Sequence, residues 1–418
     1  MFGPIAFGAV EPWSTFVVEV ASVALTLVWL AKQWVDREIN ILWNPLFLPM
    51  AAFGVLVTAQ IAFHVSAYRH DTISGAMLFC AYAMLCFLAT QMLIRSSQAR
   101  KIAVILGLFG FAFAAFALLQ SIAPNGKLYW IRQPRMGGWI FGSYVNHNHY
   151  AGLMELLVPI PLVISLSHLT DERERIAAGV ASAVMIGTIF LSGSRGGMLA
   201  IFVELVIVAV LMLRRKKTAR VAVSLIASVA VLVAILAWLG GKELTSRVTS
   251  ISTEARSEIS GGMRVSIDKD AVRMFRVKPI TGWGLRNFPI VYPQFRSFYT
   301  NFFVNEAHND YLQLLAEMGL LGFGVMVWFL VVLYRRAVRK IGNWTSDVSS
   351  AVTLACTLGC TGLLVHSFFD FNLQIPANAA LFYVFSSIAA GPALLQRAKK
   401  RRPMETDEEQ LYPASEVV

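Results

Sequence analysis

Charge is scarce in this sequence. Of its 418 residues 15% are Asp, Glu, Lys or Arg and 56% are hydrophobic, whereas a soluble globular domain carries roughly 25% charged residues. So few charges exclude a water-soluble enzyme. The shortage is also uneven, because the charges collect in loops and tails and leave blocks such as Ile73 to Ile94, 22 residues with none. As a helix rising about 1.5 Å per residue, such a block spans roughly 33 Å, the hydrocarbon thickness of a bilayer. The alternating ten-residue pattern of a transmembrane β-barrel is missing as well. Cysteine is equally sparse: Cys80, Cys86, Cys356 and Cys360 all lie inside apolar blocks, which leaves no disulfide framework or zinc site for a loop and points to packing roles. No fixed-period repeat is visible, nor the internal symmetry of an inverted-repeat transporter.

What is present is a series of spanning-length blocks, at 15–34, 46–64, 73–94, 102–122, 149–168, 176–192, 197–213, 221–239, 310–334, 349–368 and 376–395. The expected fold is all-α, a polytopic transmembrane bundle of about 11–12 spans. Phe2 to Val10 is apolar but stops at Glu11-Pro12 and contains Pro4, so it reads as a short or half-inserted helix. It lacks the basic start and small-residue cleavage site of a removable signal.

Orientation follows from three basic clusters: Arg214, Arg215, Lys216, Lys217 and Arg220; Arg335, Arg336, Arg339 and Lys340; and Arg397, Lys399, Lys400, Arg401 and Arg402. Threading the spans puts all three on one side with Arg95, Arg100 and Lys101, the cytoplasmic side by the positive-inside rule. The outer side then carries segments 123–148 and 240–308. The first contains Lys127, Arg132 and Arg135 with no acid, against that rule; the second has ten basic and six acidic residues between Lys242 and His308. Cations kept where the rule disfavours them suggest that this face handles an anion, although a loop above about 60 residues is exempt from the rule. The organisation expected is 1–239, N-terminal spans with an outer segment at 123–148; 240–308, a large outer loop; 309–396, C-terminal spans; and 397–418, a disordered cytoplasmic tail.

Ionisable residues inside spans are few: Glu19, Glu155, Glu204, Glu317 and His366. Chemistry is therefore expected at the outer boundary, where three polar clusters lie. Asn146-His147-Asn148-His149 opens a span; it reads either as a ligand site or as an Asn-capped helix with interfacial histidines. The two histidines are two apart and do not share a helix face, so no metal site is expected. Ser192 to Gly197 holds Arg195 between glycines, which suits a guanidinium beside free amides on an oxyanion, or a snorkelling arginine on a tight turn. The third runs from Gly282-Trp283-Gly284-Leu285-Arg286 to Asn305-Glu306-Ala307-His308-Asn309-Asp310. There His308 precedes a span, either as a general base at a positive helix end or as a solvated cap.

In this order and with these spans between them, the clusters resemble the bacterial O-antigen ligase and polymerase superfamily. Further carriers are Pro4 to Trp13, Arg264 to Gly284 with its ending Pro279-Ile280-Thr281-Gly282-Trp283-Gly284, Ala307 to Gln313, and the terminal His366-Ser367-Phe368-Phe369-Asp370-Phe371-Asn372 stretch. The resemblance implies an inner-membrane glycosyltransferase of the C type with a large periplasmic loop, needing no cofactor or metal. Its donor would be an undecaprenyl-diphosphate-linked glycan, and its acceptor lipid A core or another glycan; membrane lipids surround it and nucleic acid has no part. It also implies an inverting reaction with His308 as base and with Arg195 and Arg264 holding the diphosphate. Arg264 lacks the aromatic residue often found shortly after that arginine, which leaves Arg286 or Arg273 as alternatives. Asn146, His147, His149, Arg132, Arg135 and Asp310 are further candidates for substrate contact. The ligase reading is preferred to a polymerase joining lipid-linked repeat units. A lipid-linked glycan flippase would need charges at midplane instead of at the outer boundary, and a scaffold gives no reason for the arginine motifs.

The topology is directly testable. A cysteine introduced at Ser257 is expected to react with a membrane-impermeant maleimide from the periplasm; labelling only after the inner membrane is permeabilised would invert the assignment.

Overall fold

The computed structural model describes residues 1–134, 139–214, 261–301 and 303–395, and every regular element among them is a helix. The N-terminal half comprises α1 (Phe2–Ile5), a 3-10 turn (Phe7–Ala9), α2 (Pro12–Asp36), α3 (Phe47–Ala62), α4 (Arg69–Met92), α5 (Ser96–Ile122), α6 (His147–Leu157), α7 (Pro159–Leu166), α8 (Glu172–Ser192) and α9 (Arg195–Leu213). After the undescribed stretch come α10 (Gly261–Val277), α11 (Phe288–Val291), α12 (Asp310–Lys340), α13 (Val348–His366) and α14 (Pro376–Ala390).

Eight spans among the described residues are long and apolar enough to cross a membrane: α2, α4, α5, the α6–α7 pair, α8, α9, α12 extended to Asn343, and α13. The protein is a multi-pass helical bundle. Blocks 46–64 and 376–395 are helical too, but α3 and α14 have only 16 and 15 residues. For α14 the reason is local: the apolar run continues, but Gly391-Pro392 stops the helix. Block 221–239, loop residues 240–260 and the tail 397–418 lie outside the described residues. The segment ahead of Pro12 is a four-residue helix and a 3-10 turn, too short to cross, as its proline and early stop require.

Burial sorts the helices into two layers. The α6–α7 span is 89% buried and α13 67%, whereas α2 is 11% buried. Outward side chains such as Val35, Phe63, Phe202 and Leu108 are large, apolar and exposed, a face that suits acyl chains rather than water. The inner helices are fixed at their ends by local signals. Asn146 accepts from the Asn148 amide to cap α6, Asp171 caps α8, Asp347 caps α13, and Gly193 ends α8 in the left-handed region directly before Ser194 caps α9.

Helix α12 is broken at Gly319, whose φ is +64°. The break frees backbone groups that the Pro279-Ile280-Thr281-Gly282-Trp283-Gly284 segment takes up. Leu320 N–H donates to Pro279 O at 2.8 Å, Trp283 N–H to Ala316 O at 3.0 Å and Gly284 N–H to Glu317 O at 2.9 Å. Gln60 of α3 closes the joint by donating to Thr281 O and Glu317 O, and the Glu317 carboxylate accepts from the Arg286 and Phe288 amides. This joint seats the 261–308 region, which has its own apolar cluster of Ile267, Ala271, Met274, Phe288, Val291, Tyr292, Val304 and Ala307. Asp270 braces it, accepting from Tyr292 Oη and Ser297 N and pairing with Arg273. Arg264 at its start and His308 at its end are thereby held on one small unit.

Ala at 319 combines a left-handed backbone with a Cβ driven into the Ile280 backbone. Gly319→Ala is expected to lose about 1–3 kcal/mol from backbone strain alone, read as a lower midpoint of thermal unfolding in detergent. An unchanged midpoint would mean that the joint is not rigid.

Candidate active site

His308 stands just ahead of α12, where Asn309 caps the helix by accepting from the Tyr311 and Leu312 amides at 3.1 Å each. Its own φ is +55°, a conformation that a non-glycine residue holds at a cost and that recurs at functional sites. The neighbours enforce it: Ala307 N–H donates to Gln313 Oε1 at 2.9 Å, and Asp310 N–H to Ser367 O at 2.9 Å. The backbone is thus clamped on both sides of the histidine.

The imidazole faces a buried carboxylate. His308 Nδ1 lies 3.3 Å from Asp370 Oδ1, His149 Nε2 lies 3.9 Å from the same oxygen, and Arg264 lies 3.7 Å from Oδ2. Arg264 also donates to Phe369 O at 3.1 Å. Phe371 meets both histidine rings edge-on, with centroids 4.8 Å from His308 and 4.7 Å from His149. Burial by itself would raise the Asp370 carboxyl, but His308, Arg264 and His149 outweigh it and hold the group well below the usual carboxylate range. Asp370 is therefore an anion at neutral pH. With that anion opposite Nδ1, the proton of a neutral His308 belongs on Nδ1 and Nε2 is the basic nitrogen.

Three of the residues singled out in the sequence, His308, Arg264 and His149, thus meet at one carboxylate. Arg195 does not join them. It is exposed at the first turn of α9 and forms no ion pair with a described residue, while the adjoining Gly196 packs on the ring of His366. Of the alternatives to Arg264, Arg273 is engaged with Asp270 and Phe295 O, and Arg286 lines a cavity described below. His147 lies against Trp139, the ring centroids 4.7 Å apart and the planes tilted by 43°. Arg132 pairs with Glu11 and lies 4.3 Å over the Phe7 ring, so that cation is already matched within the chain. Asp310 is buried and occupied, accepting from Ser367 Oγ, Leu373 N and Gln374 Nε2; it ties the turn after α13 to α12. Asn146 caps its helix, and Arg135 lies outside the described residues.

A cavity of about 740 Å³ adjoins the cluster and shares His149 and Phe371 with it. Asn146, Arg286, Asn305, Glu306, Asp310 and Gln374 make its polar end; Met50, Phe53, Leu78, Phe79, Phe329 and Phe382 make its apolar body. Burial, reinforced by the Glu317 carboxylate, pushes Glu306 up to about 8, so this carboxyl is largely protonated at pH 7 and stands beside the cationic Arg286. Asp268, one turn beyond Arg264 on α10, is pushed up to about 6 by burial despite His308 and Arg264.

Sequence reasoning passed over Asp370, Glu306 and Asp268. Asp370 stood inside the His366 to Asn372 motif with no role, and the available signal was a lone acid between two apolar spans next to a histidine.

Fold and site define a multi-pass membrane protein with a histidine, aspartate and arginine cluster at one end of its bundle. The O-antigen ligase family model matches residues 180–327, about a third of the chain, and that stretch contains Arg195, Arg264 and His308. Over it the chain is similar to the O-antigen ligase family, a family of membrane glycosyltransferase-like ligases, and the resemblance drawn from the motifs is borne out. Among curated proteins no relative matches it.

Asp370→Asn keeps the shape and removes the charge, which strands Arg264. Its contribution, that of a depressed carboxyl, is complete above the ordinary carboxylate pKa of about 4 and is lost as pH falls through the depressed native value. The variant is expected to melt below wild type at pH 7 by several degrees, for a loss of about 1–3 kcal/mol, with the gap narrowing below pH 4. A gap independent of pH would assign the loss to packing.

Proposed function

We propose that the protein transfers a glycan from undecaprenyl diphosphate to a lipid acceptor, lipid A core, at the periplasmic face of the inner membrane. The observation that carries this reading is His308 clamped 3.3 Å from a buried aspartate that also faces Arg264. His308 Nε2 takes the proton of the acceptor hydroxyl as its oxygen bonds to the anomeric carbon. The bond from that carbon to the phosphate oxygen breaks on the opposite face, inverting the centre, and undecaprenyl diphosphate leaves with the electron pair. Asp370 holds the tautomer and steadies the imidazolium that forms.

Arg195 and Arg264 take the diphosphate. The exposed fork of Arg195 pairs with phosphate oxygens bidentately, Arg264, engaged with Phe369 O and Asp370, adds a fixed positive charge, and both stay charged at any working pH, which stabilises the charge that develops on the leaving group. A diphosphate departs without a general acid. Base catalysis worth about 10²- to 10⁴-fold, together with this electrostatic help, makes a metal unnecessary. The acceptor enters from the cavity, whose polar end suits sugar hydroxyls and whose aromatic and aliphatic body suits a hydrocarbon chain. Among its described lining residues Arg286 stands without a second arginine, which disfavours the diphosphate there.

The test is single-turnover transfer from a defined lipid-linked glycan. His308→Ala is expected to lose at least about 10²-fold in rate while still binding donor, Arg195→Lys to lose most activity despite its charge, and wild type to withstand chelators. Product that forms only when lipid A core is added marks a ligase; a ladder from lipid-linked repeat units alone would replace that acceptor by a second donor molecule. Transfer by His308→Ala within a few-fold of wild type would remove His308 as the base.

A further inference from the structure

The reading above leaves one question: what sets the distance between Arg195, which touches none of the Asp370 cluster, and the base. The candidate is a residue that the mechanism does not use. His366 ends α13, is 1% exposed, and is fixed by a hydrogen bond between its Nδ1 and Glu155 Oε1 of α6 at 2.7 Å. Two different parts of this residue face the two halves of the site.

Its ring faces the Arg195 turn. A Cβ at Gly196 would stand 2.6 Å from His366 Nε2, and one at Gly197 would stand 3.0 Å from Glu155 Oε1 and 2.8 Å from the Ala151 Cβ. The start of α9 is therefore seated on the His366–Glu155 pair, with bare glycines where any side chain would force the helix away. The turn cannot easily swing about that seat. Ser194 caps it through the Gly197 amide at 3.1 Å, and Gly193 on its other side lies against Trp139.

The carbonyl of His366 faces the base. It accepts from Phe369 N at 2.8 Å and from Asp370 N at 3.1 Å, closing the turn that carries Phe369 O to Arg264 and the Asp370 carboxylate to His308. We infer that His366, held by Glu155, is a positioning residue that sets the Arg195 guanidinium in register with the His308–Asp370–Arg264 cluster. The inference rests on the diphosphate role of Arg195. Its chemical logic is that the leaving group and the attacking hydroxyl must sit on opposite faces of one carbon, where a shift of about 1 Å is enough to cost roughly 10²-fold in rate.

The experiment measures donor and acceptor KM separately, on full-length protein in lipid nanodiscs. Gly196→Ala is expected to raise the donor KM roughly tenfold or more by moving Arg195, with the acceptor KM within about twofold. Removing the ring should create the room that the methyl needs. The double variant Gly196→Ala/His366→Ala is thus expected to match His366→Ala alone rather than show the product of the two single effects. His366→Leu, which fills the space without the hydrogen bond to Glu155, should raise the donor KM, and His366→Gln should recover part of the loss.

An unchanged donor KM in Gly196→Ala and His366→Leu overturns the inference, as do effects that multiply in the double variant or equal losses for donor and acceptor. Should Gly196→Ala fail to fold, the Leu and Gln pair at 366 decides alone. Arg195→Lys in the same assay separates the two levels. If it is inactive while the 366 variants are normal, only the positioning role fails; if it is itself normal, the diphosphate reading of Arg195 fails and the inference with it.

Discussion

A carboxylate with no access to water has to be compensated, and the arrangement around Asp370 follows from that requirement. Moving an uncompensated charge out of water costs several kcal/mol, so the two oxygens draw His308 and His149 to one side and Arg264 to the other. These partners come from the beginning of α6, the start of α10 and the approach to α12, which are remote in sequence. One anion thus organises three segments, and in doing so orients the imidazole that the proposed chemistry uses.

The bundle supplies the rigidity that this arrangement needs. In lipid the hydrophobic effect does not press helices together, so association depends on close packing and on internal hydrogen bonds. Both appear at the critical joints. The broken turn at Gly319 exchanges its lost helical bonds for bonds to the 279–284 segment, and glycines at 196 and 197 admit α9 to the His366–Glu155 pair. The strained and the closely packed backbone both sit where the 261–308 unit and the arginine turn meet the inner helices.

Arg264 stands at the Asp370 cluster, and the cavity that shares His149 and Phe371 with it combines a polar end with an apolar body. The proposed reaction between a charged leaving group and a neutral hydroxyl suits such an arrangement, because the polar and hydrocarbon parts of a lipid-borne acceptor each meet a matching wall.

The sequence by itself determined the class of fold and most of the spans, because a bilayer leaves so few options: uncharged blocks of about 20 residues must be helices. It also marked His308, Arg195 and Arg264 through the family pattern, and an asparagine cap at the start of α6. Only the tertiary structure decided the length of α3, the break in α12 and the partner of the base. Asp370 lies 62 positions from His308, and no local period or spacing links them; they meet because α13 turns back at His366. The same holds for Asp310, Arg132 and Arg273, whose charges are as conspicuous in sequence as that of Arg195. Folding matches them to partners inside the chain and leaves Arg195 exposed, and that difference is a property of neighbours that a linear sequence does not contain.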